Sequence, residues 1–246
     1  MAVHDFNAQR LYVDQPLGPA VEVVCALEQA HYLANVLRLG LGDEIRVFNG
    51  RDGEWLCRII AISRKGCTLE AIECLRPQQG GPDIGYHFAP LKRARLDYMV
   101  QKATEMGVAR LVPVLTQHTI ADRVNDGRMR ANVIEAAEQC GILRLPVVDE
   151  PVKFGALMDR WPEERWLVFC DESAAVQSPL DVLSALDGMP TDILVGPEGG
   201  FSAAERQRLL AHSRVVAISL GPRIMRADTA AIAALALLNA VIGDWR

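Results

Sequence analysis

Two short segments in the last third of the chain carry residue types whose spacing suits a ligand site. The first is Gly196-Pro197-Glu198-Gly199-Gly200-Phe201, entered from the apolar run Asp192-Ile193-Leu194-Val195 and followed by Ser202-Ala203-Ala204-Glu205, the spacing of a helix capping box. The second is Leu220-Gly221-Pro222-Arg223-Ile224-Met225-Arg226, which ends the apolar run from Val215 and leads into Ala227-Asp228-Thr229. A strand feeding a glycine loop and then a capped helix places backbone donors beyond the carboxyl end of the strand. That is where open α/β sheets bind ligands. Across Leu194 to Ser202 and Leu220 to Ala230, Glu198 and Asp228 are the only acids. Neither loop is G-x-G-x-x-G or G-x-x-x-x-G-K-[ST], and neither pattern occurs elsewhere, which disfavours a dinucleotide or a nucleoside triphosphate.

The elements that must position these loops are legible as strands alternating with helices. Strands are predicted at Tyr86 to Ala89, Leu111 to Leu115, Trp166 to Cys170, Ile193 to Val195 and Val215 to Leu220. Helices are predicted at Ala94 to Met106 and Met129 to Gln139, stopped by Gly107 and Gly141. This alternation implies a mostly parallel sheet. The run Ala230 to Ile242 is apolar on nearly every face apart from Asn239, so it is expected to be buried all round, with Asp228 or Thr229 as its N-cap. Its second face suits either the core or a partner subunit. Gln101, Lys102, Glu105 and Gln139 fall near predicted helix ends, as polar caps or substrate contacts.

Upstream the pattern changes. Between about Arg10 and Glu73, short β-like runs are broken by turn residues: Glu44 to Phe48 and Trp55 to Ile59 flank Asn49-Gly50 and Asp52-Gly53, and Ile59 to Ser63 and Cys67 to Ile72 flank Arg64-Lys65-Gly66. His31 to Leu39 has helical spacing. A small β-barrel with one helix is expected over residues 1–76, then a Pro- and Gly-rich linker, Arg76-Pro77-Gln78-Gln79-Gly80-Gly81-Pro82-Asp83, and an α/β domain over 77–246.

Composition bounds the function classes. The 246 residues are half apolar, yet no apolar run approaches the ~20 residues that span a bilayer, and the first residues lack the features of a signal peptide, so the cytoplasm is the expected compartment. The six cysteines form no C-x-x-C pair and the five histidines no H-E-x-x-H spacing; reduced, mostly buried thiols and no metal are expected. The net charge of −5 runs against a nucleic-acid partner, but the acidic excess lies wholly after residue 110. Basic residues recur at Arg38, Arg46, Arg51, Arg58, Arg64 and Lys65, and again at Lys92, Arg93 and Arg95, leaving room for a basic face.

Five segments in order resemble one family: His31-Tyr32-Leu33-Ala34-Asn35-Val36-Leu37-Arg38-Leu39, Gln101-Lys102-Ala103-Thr104-Glu105-Met106-Gly107-Val108, Glu138-Gln139-Cys140-Gly141, and the two glycine loops with their flanks. The chain resembles the RsmE family of the SPOUT superfamily, 16S ribosomal RNA uridine-N3 methyltransferases that use S-adenosylmethionine. The resemblance implies a PUA-like RNA-binding barrel followed by a sheet threaded into a trefoil knot, and a homodimer acting on 16S rRNA or the small ribosomal subunit. It also implies that the donor is walled by Phe169 and Leu194, by Gly196, Pro197, Glu198 and Gly199 of the first loop, and by Leu220, Gly221, Ile224 and Met225 of the second. Cys170 and Asp171 continue the wall from Phe169.

Transfer to a base nitrogen requires alignment of two reactants and stabilisation of an anionic uracil. Arg226 is expected to hold a uracil carbonyl, with Arg223 as its alternate, and Glu198 and Asp228 are the candidate proton acceptors. Arg38, Arg93, Arg95 and Arg223 are the expected RNA contacts. The family carries Leu-Arg-Thr-Glu-Thr where this chain has Met225-Arg226-Ala227-Asp228-Thr229, and the shorter carboxylate shifts the expected catalytic role toward Arg226. Two other readings stay open from the residues alone: a ribose 2′-O-methyltransferase of the same superfamily, whose usual Ile-Pro-Met and Ser-Leu-Asn pattern is missing here, and a non-catalytic RNA-binding assembly protein.

Overall fold

A computed structural model describes residues 8–63, 66–120, 124–174 and 178–246. They fall into two units, one of residues 1–80 with 137–145 and one of 81–136 with 146–246.

In the first unit the chain runs β1 (Arg10–Tyr12), β2 (Glu22–Val24), α1 (Leu27–His31), a π-helical turn (Tyr32–Val36), β3 (Glu44–Phe48), β4 (Glu54–Ser63) and β5 (Gly66–Arg76). The sheet order is β1-β3-β4-β5-β2, with β1 parallel to β3 and the other pairs antiparallel. The two expected hairpins share one strand, because Glu54 to Ser63 pairs with β5 along its whole length, through three register shifts. Of the expected turn Arg64-Lys65-Gly66, Arg64 and Lys65 lie outside the described residues, and Gly66 opens β5. No ladder joins β1 to β2 among the described residues, so the barrel is open there. The Gln15 amide bridges that seam, accepting from the Val24 amide at 3.0 Å and donating to its carbonyl at 2.6 Å.

Alternating residues of β3, β4 and β5, such as Val47, Cys57, Ile59 and Leu69, bury one face against Leu33. Fully buried Glu54 is matched by Arg10 at 2.6 Å and Arg76 at 2.8 Å. Burial would raise its pKa, but the bonds from Arg76 and Arg10 outweigh burial and hold the carboxyl below the usual range. The same two arginines donate to the carbonyls of Ala137, Ile142 and Gly141, which satisfies acceptors that a helix end leaves open.

The second unit contains β6 (Gly85–Phe88), α2 (Arg93–Glu105), β7 (Arg110–Leu115), α3 (Asp126–Cys140, whose last residues belong to the first unit), β8 (Val147–Val148), β9 (Val152–Lys153), α4 (Phe154–Asp159), β10 (Trp166–Cys170), α5 (Pro179–Ser184), β11 (Thr191–Val195), α6 (Ala203–Ala211), β12 (Val215–Ile218) and α7 (Ala227–Val241). Every ladder is parallel, in the order β12-β10-β11-β6-β7-β8, with β9 also on β7. The central strands β6, β7, β10 and β11 are largely buried on both faces, and β7, β10 and β11 read as near-continuous apolar runs.

Three expectations are corrected here. α7 is not buried all round: Ala231, Ala234, Leu235 and Leu238 are buried, whereas Ile232, Ala233, Ala236 and Leu237 are only partly covered. Its N-cap is Arg226, so Asp228 sits in the first turn, where its carboxylate accepts from the Thr229 amide at 2.9 Å. The cysteines are free, but only Cys25, Cys57 and Cys67 are buried; Cys74 and Cys140 are exposed.

Candidate active site

The chain leaves β10 toward β11 on one side and later returns to β12 on the other, so the strand order reverses at β10. The two glycine loops therefore do not follow neighbouring strands. They flank the end of β10, and a crevice opens at such a reversal. A cavity of about 270 Å³ occupies that position.

Its walls come from three strand ends. Gly196, Pro197 and Glu198 line it from β11, and Leu220, Gly221, Arg223, Ile224 and Met225 from the β12 loop. Cys170 and Asp171 line it from β10, with Glu172 and Ser173 following. Phe169 and Leu194 do not: they pair across the ladder, fully buried in the core beneath. Period-2 alternation accounts for this, since Cys170 and Val195 face the opening when their neighbours face the core. Gly199 also stays outside the lining and faces His118.

Two glycines are set by geometry. A Cβ on Gly196 would stand 2.9 Å from the Phe201 ring, so only glycine lets that ring close the floor, where it packs edge-on to Phe169. Gly221 has φ +103°, which an L side chain rarely adopts. The expected capping box is present: the Ser202 hydroxyl accepts from the Glu205 amide, and Glu205 accepts from the Ser202 amide at 2.9 Å.

The polar side chains have distinct partners. Asp171, 6% exposed, accepts from Arg206 at 3.0 Å and from the Ser173 amide, also at 3.0 Å. The pairing with Asp171 raises the Arg206 pKa. Desolvation pushes the thiol of partly covered Cys170 up to about 12, so it is a neutral wall rather than a nucleophile. Glu198 forms an ion pair with Arg95 in the first turn of α2, which brings together two residues singled out separately in the sequence.

Arg226 is exposed at the N-cap of α7, and neither Arg226 nor Asp228 lines the cavity. Arg93 is exposed beside Lys92 at the start of α2. Arg38, in the first unit, is exposed with φ +58°, a strained conformation for a non-glycine residue. Near the predicted helix ends, Lys102 pairs with Glu105 at 2.7 Å and Gln101 reaches Glu135 at 3.4 Å.

Sequence reasoning missed Glu172, Ser173, Arg206 and Ser219 in the lining, and His118 beside it. Arg206 had a usable signal, since it lies one residue past the capping Glu205 and so in the first turn of a helix aimed at the strand ends.

A cavity at the reversal of a parallel sheet, walled by glycine loops and preceded by a small β unit, defines a class of ligand-binding enzyme fold. An RNA methyltransferase domain model matches residues 79–239, and an RNA methyltransferase PUA domain model matches residues 26–72. The ribosomal RNA small subunit methyltransferase E of Rickettsia conorii is 31% identical over 229 residues, 92% of this chain and 93% of that protein. Its namesake from Bacillus subtilis is 29% identical over 225 residues, 86% of this chain and 87% of that one. The crystal structure of the Neisseria gonorrhoeae ribosomal RNA small subunit methyltransferase E bound to S-adenosyl methionine is 25% identical, with a TM-score of 0.86 over 98% of this chain and 100% of that one. The chain belongs to the RsmE family of RNA methyltransferases, with the SPOUT fold in its second unit and a PUA-like first unit.

Proposed function

We propose that this protein methylates N3 of a uridine in the 16S RNA of the small ribosomal subunit, with S-adenosylmethionine as donor, and that it does so in the cytoplasm as a homodimer. The observation that carries this reading is the cavity over β10, walled by both family loops. Its chemistry fits the donor. Glu172 suits a ligand bearing a sulfonium and an ammonium, Arg206 beside Asp171 suits its carboxylate, and Val195, Pro197, Leu220, Ile224 and Met225 offer apolar walls. The glycine at 221 keeps the backbone of the second loop open to close approach.

When bound, S-adenosylmethionine supplies an electrophilic methyl group. The protein's own residues align the uracil and stabilise the charge left on it. Arg226 holds a uracil carbonyl as the N3 proton departs, with Arg223 as its alternate; neither guanidinium has an ion-pair partner among the described residues. Glu198, already paired with Arg95, orders the loop, and solvent competes with Glu198 and Asp228 for the proton. An ordinary carboxylate, near ~4, is a weak base for uracil N3.

The exposed Arg38 and Arg93 and the half-buried Arg95 are the proposed RNA contacts, and the first unit the proposed RNA-binding module. The partly covered face of α7 borders a groove of about 700 Å³, lined by Ala233, Ala236, Leu237, Ala240 and Trp245, that shares Leu220 and Gly221 with the donor cavity. This apolar groove supports the dimer, and no helix among the described residues is long and apolar enough to cross a membrane.

Calorimetric titration with S-adenosylmethionine tests the reading at its base. Saturable one-site binding is expected; no heat and no thermal shift would leave the proposed activity without its donor.

A further inference from the structure

The turn that follows β7 fastens the first glycine loop from outside the cavity. In the sheet β6 lies between β7 and β11, so this turn reaches past one strand end to touch the loop. Thr116 and Thr119 close it: the Thr116 amide donates to the Thr119 hydroxyl at 2.9 Å, and the Thr119 amide to the Thr116 carbonyl at 3.2 Å. Gln117 and His118 stand at its tip. The Gln117 amide donates to Glu205 Oε1 at 2.8 Å, while Oε2 of the same carboxylate completes the capping box.

His118 Nδ1 lies 3.1 Å from the Gly199 carbonyl and 3.2 Å from the Gly200 carbonyl. Carbonyl oxygens only accept, so Nδ1 carries the proton, whichever state Nε2 is in. A Cβ on Gly199 would lie 3.5 Å from the His118 Cβ, so this glycine rests against the base of the histidine side chain.

We propose that His118 is a positioning residue for methyl transfer, its Nδ1–H fixing the Gly199 and Gly200 carbonyls and so holding the first glycine loop in its donor-binding shape. The loop has one internal bond across its turn, from the Gly200 amide to the Pro197 carbonyl at 2.9 Å. Without His118 the Gly199 and Gly200 carbonyls turn to solvent, and donor binding must order them. A loop ordered in advance spares that cost. The inference rests on the reading of this loop as the donor wall.

The test compares His118→Ala, His118→Asn and His118→Gln in the full chain. The asparagine amide nitrogen is attached at Cγ, as Nδ1 is, whereas that of glutamine lies one bond further out. Calorimetry with S-adenosylmethionine should give a Kd about three- to tenfold weaker for H118A, the scale of a lost hydrogen bond, with H118N restored and H118Q still weak. In the ligand-free protein, amide exchange at Gly199 to Phe201 should be faster in H118A and H118Q than in the wild type and H118N. Wild-type affinity and exchange in H118A, or rescue by H118Q equal to that by H118N, would overturn the inference. A wild type silent toward the donor sinks the donor-site reading instead, while the exchange experiment still decides whether His118 orders the loop.

Discussion

Asp192 serves three donors at the opposite end of β11 from the glycine loop. One carboxylate accepts from the Gly85 amide at 2.8 Å, His87 Nε2 at 2.9 Å and Arg165 at 2.7 Å. Gly85 is glycine for the same reason, since a Cβ there would stand 2.6 Å from the carboxylate. Burial would raise the Asp192 pKa, but the bonds from His87, Arg165 and Gly85 outweigh burial and hold it below the usual range.

A carboxyl whose folded pKa is depressed contributes stability above its unfolded pKa, near ~3.9, and loses that contribution as pH falls through the folded value. Thermal melts should therefore show a destabilisation of the wild type below about pH 4 that is shallower in Asp192→Asn. Asp192→Ala, which strands buried His87 Nε2 and the Gly85 amide while Arg165 keeps its pair with Asp83, should cost about 2–3 kcal/mol by denaturant unfolding at neutral pH. At the active site, Arg226→Ala is expected to lower turnover much more than donor affinity, since its proposed contact forms as charge develops on the base. Equal losses in kcat and in donor affinity would make it a binding residue, and a larger turnover loss in Arg223→Ala would move the catalytic role to the residue that lines the cavity.

At the scale of elements, the loops depend on how their flanking helices begin. Ser202→Ala removes the cap of α6 and should cost about 1 kcal/mol by chemical denaturation. Glu205→Ala should cost more, because it also removes the bond that ties the Gln117 amide to α6. The capping box is legible from four consecutive residues because its chemistry is local, and the apolar run Trp166 to Cys170 coincides with β10. Other features were not local. That β10 lies between β11 and β12 follows from hydrogen bonding across the sheet, which periodicity does not encode. His118 meets the glycine loop from 81 residues away. The start of α7 was displaced because Asp228 is a favourable N-cap residue, but the helix takes Arg226 as cap and keeps the acid in its first turn, where it still favours the helix dipole.

For the whole molecule, the five ordered segments carried the family and its fold, while composition pointed weakly the other way through its net charge of −5. The near-uniform apolarity of the last helix was legible. Its two environments were not, because one face meets the core and the other lines a groove that only the fold creates. The proposed dimer follows from that groove. Sedimentation equilibrium should report twice the 27.0 kDa chain mass, and Leu237→Glu should shift it toward the monomer and weaken donor binding, because the groove and the donor cavity share Leu220 and Gly221. A wild type monomeric at micromolar concentration would contradict this.

The most direct test of the central claim is to incubate the protein with methyl-labelled S-adenosylmethionine and small ribosomal subunits or naked 16S RNA, digest the RNA, and identify the labelled nucleoside. N3-methyluridine is the predicted product. Label in any other nucleoside, or at a ribose 2′-oxygen, would contradict the account.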